Sequence, residues 1–324
     1  MIAGMKKAAI GIDIGGTNIK LGLVDETGRI VLRDTFRTKD SSSRNDLIGK
    51  LVSHILALSD EAKHRKLKLS GVGIGVPGPV DVERGFIHFF PNIPGWKNTP
   101  LKTILQRKLK LPVFIDNDAN VMTLGECCFG AGKGATNMIA LTLGTGLGGG
   151  LVIDGKLFHG PFFSAAEVGH MIVDPAGPLC GCGNRGCIET FVGNGYFIAE
   201  VRRALKAGQK TSLRSRLKEG LELSPKLVQD EAFAGDAFCR AQWARTGERL
   251  GSVLAGLVNL LNPEKIVIGG GLSLSGSLLF GPVRKAVKKN AFPIASGFVK
   301  VVPAKLGSEA GLVGAAALAF SSNS

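Results

Sequence analysis

One supersecondary plan occurs twice in this chain, and it constrains the fold more than any other feature. The first copy, AAIGIDIGGTNIKLGLVDETGRIVLRDTF (8–36), has short β-branched apolar runs at 8–12 and 19–24 parted by GGT. DETG then turns into a third run, IVLRDTF. This spacing predicts three short antiparallel strands joined by tight turns. The second copy, MIALTLGTGLGGGLVIDGKLFHG (138–160), repeats the order of strand, glycine-rich turn, strand, DG turn and strand. A recurring unit of this kind implies a duplicated α/β architecture.

Between the copies the pattern predicts a helix (44–60), a strand GVGIGVPG (71–78), a helix (100–109) and a strand LPVFIDND (111–118). Strands alternating with helices call for a mainly parallel sheet flanked by helices. Further helices are predicted near 188–207, 231–262 and 308–320, the last rich in small residues, with a strand entering another glycine turn in EKIVIGGGLS (264–273). A chain of 324 residues has the length of about two domains. The division is expected near residue 117. It gives a small α/β domain of 1–117 plus 305–324 and a larger one of 118–304 carrying a cysteine loop.

The two glycine turns offer the same chemistry. Gly15, Gly16 and Thr17 in one, and Gly144, Thr145, Gly146 and Gly148 in the other, let backbone N–H groups approach an anion, while threonine hydroxyls add donors. Either turn alone reads equally well as a plain hairpin. As a pair facing each other across a cleft they are fit to hold a triphosphate, and Asp13, at a strand end beside the first, is placed to hold Mg²⁺ through water. FIDNDAN (114–120) puts Asp116, Asn117 and Asp118 where a buried strand ends and a helix opens. Such residues serve either as a helix N-cap or as a carboxylate that takes a proton from a substrate hydroxyl.

His170, Cys180, Cys182 and Cys187 have the spacing H-x9-C-x-C-x4-C, which suits a closed, tetrahedral structural zinc site. Cys180 and Cys182 are too near in sequence to form a comfortable disulfide. The other three cysteines, Cys127, Cys128 and Cys239, fall in predicted helices and read as small buried apolar residues.

The net charge of +14 raises the question of nucleic acid. The basic residues are spread along helical segments such as EAKHRKLKLS (61–70) and LKTILQRKLK (101–110) without interleaved aromatics, so a solvated surface, or an anionic small substrate, is the better reading. A zinc-knuckle RNA-binding module would account for the cysteines but not for the repeat or the DNDAN acids. No uncharged apolar stretch is long enough to span a membrane, and MIAGMKKAAIGIDIGG lacks a signal peptide's apolar run. A cytoplasmic protein with reduced thiols, and without nucleic-acid or membrane partners, is expected.

Seven motifs in order, DIGGTNIK (13–20), GIGVPGPVD (73–81), DNDAN (116–120), LGTGLGGGLV (143–152), EVGH (167–170), CGCGNRGCIE (180–189) and IVIGGGLS (266–273), resemble the ROK family of repressors, open reading frames and sugar kinases. The resemblance covers nearly the whole chain. It implies an actin-like ATPase (ribonuclease H-like) fold of duplicated domains with a cleft between them. It also implies an ATP-dependent hexose kinase acting on a C6 hydroxyl, glucose first, with N-acetylmannosamine, N-acetylglucosamine or fructose as alternative acceptors. By the same resemblance Asp118 is the catalytic base. Asp13, Gly15, Gly16, Thr17, Asn18 and Lys20, with Gly144, Thr145, Gly146, Gly148 and Gly149, form the ATP phosphate loops, and Gly270 and Gly271 lie beside the nucleoside. Gly78, Asn92, Asn117, Glu167, His170 and Glu189 match sugar-binding positions, and a homodimer or higher homo-oligomer is implied. Clamping the cysteine loop with zinc would set Glu167 and Glu189 beside the sugar. The family's repressors carry a DNA-binding helix-turn-helix ahead of the kinase-like part. Here the first phosphate turn begins by residue 13, so a repressor is not expected.

Overall fold

A computed structural model describes residues 6–90 and 95–321, which form two compact units. The first comprises 1–134, 150–165 and 305–324. Its strands β1 (Lys7–Ile14), β2 (Asn18–Asp25) and β3 (Ile30–Arg37) form the expected antiparallel meander. After helix α1 (Arg44–His64), β4 (Lys68–Val76) returns parallel to β1. A small sheet of β5 (Val80–Asp81), β6 (Phe86–Phe89) and β7 (Lys97–Thr99) follows, which the sequence pattern did not reveal. Helix α2 (Leu101–Leu109) then leads into β8 (Val113–Asn117), parallel to β4, and the sheet order is β3-β2-β1-β4-β8.

The faces of β1 explain its packing. Ile10 and Ile12 point into a core with Leu51, Ile55 and Leu58 of α1 and Leu101 and Leu105 of α2. On the other face Ala9 meets Leu312, Val313 and Ala316 of helix α11 (Ala310–Ser321). That helix lies so close that a Cβ at Gly73 would stand 1.7 Å from the Ala315 carbonyl. Helix α3 (Asp118–Phe129) crosses α11 equally tightly, a Cβ on Gly314 falling 1.6 Å from the Val121 carbonyl. Small side chains thus decide this layer: they let backbones touch where larger ones would overpack.

The division between units therefore falls after Gly134, not near 117. Helix α3 belongs with the first unit because it packs on α11, and buried Glu126 accepts from the backbone N–H groups of Lys305 (3.0 Å) and Leu306 (2.7 Å).

The second unit comprises 135–149 and 166–304. Strand β9 (Met138–Leu143) is followed by β10 (Leu147–Ile153) and β11 (Lys156–Leu157), which join it in one sheet although residues 150–165 are grouped with the first unit; α4 (Glu189–Val192), α5 (Asn194–Lys206), α6 (Leu213–Lys218), α7 (Pro225–Phe233) and α8 (Ala237–Leu261) come next. Then come β12 (Lys265–Gly269), α9 (Ser277–Asn290), α10 (Pro293–Phe298) and β13 (Lys300–Pro303). The sheet order, β11-β10-β9-β12-β13, repeats that of the first sheet strand for strand, with β12 parallel to both β9 and β13. The helix expected over 231–262 is two: α7 stops before Gly235 (φ 109°), and Asp236 caps α8 by accepting from the Cys239 N–H at 2.8 Å. Gly193 likewise parts α4 from α5.

Candidate functional site

Strand β8 passes straight into helix α3, and that junction builds the acid turn. Asn117 is the N-cap, its Oδ1 accepting from the N–H groups of Ala119 (2.9 Å) and Asn120 (3.4 Å) while its Nδ2 donates to the Gly78 carbonyl (3.2 Å). The cap reading and the functional reading of this motif are thus divided between neighbours. Asp118, the first helical residue, is exposed, and its Oδ1 accepts from the Ala119 N–H at 2.8 Å. An exposed carboxylate on a capped helix start is held without being covered. Asp116 is its opposite, a carboxylate 2% exposed. Its Oδ1 accepts from the Asn117 N–H (2.7 Å) and Asn120 Nδ2 (2.8 Å), and its Oδ2 lies 2.7 Å from His159 Nε2. Sequence reasoning gave no role to His159 or Asn120. The available signal was the unbroken apolar run V-F-I leading to Asp116 in β8, the mark of a strand covered on both faces, where a charge needs partners.

The first glycine turn, between β1 and β2, is pinned by Gly15 N–H to the Asn18 carbonyl (3.0 Å), by Thr38 Oγ1 to the Gly15 carbonyl (2.7 Å) and by Thr38 N–H to the Thr17 carbonyl (2.9 Å). Gly16, Thr17 and Asn18 remain exposed at its tip. Asp13 pairs across the strands with Lys20, whose Nζ donates to the Ser308 carbonyl at 2.7 Å. Burial raises the pKa of Asp13; Lys20 opposes the shift and Glu309 adds to it. A carboxylate in that state gains from a cation, which fits the Mg²⁺ role expected for it.

In the second unit the β9–β10 turn is pinned in the same manner. Gly144 N–H donates to the Gly146 carbonyl (3.0 Å), and the N–H of Asn194, first residue of α5, donates to the Gly144 carbonyl (2.9 Å). Thr145 is exposed at the tip. Gly148 and Gly149 lie in β10, and a Cβ at Gly149 would stand 2.5 Å from the Ala166 carbonyl. Gly270, just past β12, has φ 86° and would bring a Cβ within 2.4 Å of the Leu143 carbonyl, so only glycine fits there. Gly271 opens the short helical turn that follows.

The cysteine loop gathers as expected. One ligand atom from each of His170, Cys180, Cys182 and Cys187 lies within 4.8 Å of all the others. His170 Nδ1 is 3.6 Å from Cys180 Sγ, and Cys182 Sγ is 3.7 Å from Cys187 Sγ. Tetrahedral zinc with Zn–S bonds of about 2.3 Å sets ligand atoms about 3.8 Å apart, so the residues fit that ion. The sulfurs are too far apart for a disulfide, whose S–S bond is about 2.05 Å. Short bridges between Ile172 and Cys187 and between Leu179 and Arg185 fold the loop, with Gly183 and Gly186 at positive φ. Burial pushes the Cys180 thiol up to about 12, while the Asn184 backbone N–H lowers that of Cys182. Of the remaining cysteines only Cys239 is buried; Cys127 and Cys128 are half-buried on α3, a correction to the expectation.

Glu189 joins the loop to the glycine turn. Its Oε2 accepts from the Leu147 N–H at 2.9 Å, and its Oε1 lies 3.6 Å from Cys180 Sγ. Glu167 is exposed, with Oε2 3.9 Å from His170 Nε2. The first unit thus holds Asp13, Gly15 to Asn18, Lys20, Gly78, Asn117 and Asp118. The second holds Gly144 to Gly146, Gly148, Gly149, Glu167, His170, Glu189, Gly270 and Gly271. Asn92 lies outside the described residues.

Two sheets of one topology, each opened by a pinned glycine turn, define the duplicated actin-like ATPase class of α/β proteins. The chain belongs to the ROK family, whose model matches residues 9–322. It is 40% identical over 320 residues to a glucokinase of Thermotoga maritima, covering 97% of each chain. A xylose repressor of Caldicellulosiruptor bescii is 33% identical, over 96% of this chain and 78% of the repressor. Among solved structures, a ROK family glucokinase from Streptomyces griseus in complex with glucose and AMPPNP is 36% identical with a TM-score of 0.78, covering 97% of this chain and 99% of that one.

Proposed function

We propose that this protein is an ATP-dependent hexose kinase of the glucokinase type, converting glucose to glucose 6-phosphate with Asp118 as general base. The observation that carries the reading is the exposed Asp118 carboxylate on a turn fixed from both sides by Asn117 and buried Asp116. Its carboxylate takes the proton of the C6 hydroxyl as that oxygen bonds to the γ-phosphorus and ADP departs. Backbone N–H groups of Gly16 and Thr17 and of Thr145 and Gly146 take the phosphates, those of Gly15 and Gly144 being spent within their own turns, and Asp13 would hold Mg²⁺ through water. When bound, Mg²⁺ neutralises charge on the phosphoryl oxygens. Gly270 and Gly271 flank the nucleoside, and Gly78, Asn92, Asn117, Glu167, His170 and Glu189 take the sugar hydroxyls. Zinc held by His170, Cys180, Cys182 and Cys187 would be structural, since four protein ligands would leave no position for water. A reducing compartment, the cytoplasm, keeps those thiols as ligands. Exposed Leu260, Phe292, Ile294 and Phe298 support self-association as a homodimer or higher homo-oligomer.

The test is ADP release with Mg-ATP over glucose, mannose, fructose, N-acetylglucosamine and N-acetylmannosamine. Glucose should give the highest kcat/KM. An N-acetylated sugar ahead of glucose makes this an amino-sugar kinase. No turnover with any sugar removes the kinase reading and leaves the repressor likeness to be tested by DNA binding.

A further inference from the structure

Asp116 is a carboxylate that water does not reach, so protein donors must satisfy both its oxygens. Oδ1 takes two, from Asn117 N–H and Asn120 Nδ2, and both belong to the turn that carries Asp118. Oδ2 takes the third from His159, 43 residues away in sequence. His159 is itself fixed. Phe158 N–H donates to the Leu151 carbonyl (2.9 Å), Ala165 N–H donates to the His159 carbonyl (3.1 Å), and Gly160 turns the chain at φ 69°. The hydrogen bond to Asp116 raises the pKa of His159 against the effect of its burial, and the charge of Asp116 adds to the rise. In its neutral or charged form, Nε2–H donates to Oδ2.

We propose that His159 is a positioning residue for the acid turn: by holding Oδ2 of Asp116 it fixes the carboxylate that anchors residues 116–120, and so the placement of Asp118. Removing the imidazole leaves a buried carboxylate oxygen without a donor. The side chain must then rotate to find one or admit water, and either movement draws Oδ1 off Asn117 N–H and Asn120 Nδ2. Those two bonds set the entry into α3, and Asn117 is its cap. Asp118 moves with them. Only this last consequence, the effect on phosphoryl transfer, rests on the kinase reading.

The experiment compares His159→Ala and His159→Gln in the full chain, the glutamine amide nitrogen standing where Nε2 stood. Amide exchange is followed in the 114–121 segment, and kcat and KM for glucose are measured per active site. His159→Ala should speed exchange at 116–120 by about tenfold or more, since local opening sets that rate. It should lower kcat by roughly 10- to 100-fold with KM for glucose within about threefold, the scale of a base misplaced by about 1 Å. His159→Gln should recover most of both losses. Unchanged exchange in His159→Ala overturns the proposal, as does a glutamine variant no better than alanine. Lowered thermal stability with kcat per active site unchanged also overturns it, because that is the mark of a purely structural pair. If wild-type protein phosphorylates no hexose, the kinase reading fails, and the exchange comparison alone decides whether His159 holds the turn. Should His159→Ala not fold, His159→Asn, whose amide is too short to reach Oδ2, replaces it.

Discussion

Gly146→Ala tests whether Glu189 acts through the glycine turn. A Cβ at 146 would stand 2.3 Å from Glu189 Oε2 and 3.1 Å from its Cδ. The backbone there is not in the left-handed region, so alanine meets no strain of its own. The obstacle is the far end of a flexible side chain, which has to swing aside by about 1 Å to reach ordinary contact. That movement takes Oε2 from 2.9 Å to beyond hydrogen-bonding distance of the Leu147 N–H. A bond from an N–H to a carboxylate is worth about 1.5–3 kcal/mol, hence a loss of roughly 10- to 100-fold in kcat/KM for glucose. Stability should fall by no more than about 1–3 kcal/mol, the cost of leaving the buried Leu147 N–H unpaired. The assay is coupled ADP release with Gly146→Ala, Glu189→Ala and the double variant. If both changes break the same bond, the double variant is little worse than the poorer single one. Fully additive losses, or a wild-type kcat/KM in Gly146→Ala, refute the linkage.

Purified wild-type protein should carry about one zinc per chain, and Cys180→Ala, Cys182→Ala and Cys187→Ala should each reduce that to near zero with weaker glucose binding, as read by elemental analysis and calorimetry. Zinc-free wild-type protein indifferent to chelators removes the metal site. Asp236 caps α8 and also accepts from Thr211 and Ser212, bonds that depress its pKa to about 2 against burial. Because the native pKa lies below the unfolded one, its stabilisation is complete above about pH 4 and lost as pH falls through about 2. Asp236→Ala should therefore lower the melting temperature at pH 7, by the equivalent of about 1–2 kcal/mol, and converge on wild type near pH 2. Gly314→Ala should destabilise the first unit severely, since its Cβ would stand 1.6 Å from the Val121 carbonyl oxygen and 2.9 Å from the Gly125 nitrogen, both backbone atoms that no side-chain rotation relieves; chemical denaturation measures it.

What was legible in the sequence is what short-range pattern encodes. The two meanders, the turns at Gly15 and Gly144 and the clustering of His170 with Cys180, Cys182 and Cys187 all show as spacing within about 30 residues, and the structure brings those residues together. The small-residue stretch at 308–320 foretold a close helix contact, though not that α3 would be its partner. That pairing moved the division from 117 to 134. The roles within DNDAN were only half readable: spacing shows an acid turn, but the assignment of Asn117 as cap, Asp116 as anchor and Asp118 as the exposed group depends on His159, which is remote in sequence. The β5–β7 sheet escaped notice because its strands, of two to four residues, are too short to show alternation.

Asp118→Asn tests the central claim most directly, with glucose binding followed by calorimetry and turnover by ADP release in the same preparation. Asparagine keeps the size and the exposed position but cannot take a proton. Glucose and Mg-ATP should bind nearly as in wild type while kcat falls by about 10²- to 10⁴-fold, the usual share of a general base. Turnover within a few-fold of wild type would contradict the account, because the proton of the C6 hydroxyl would then have another acceptor.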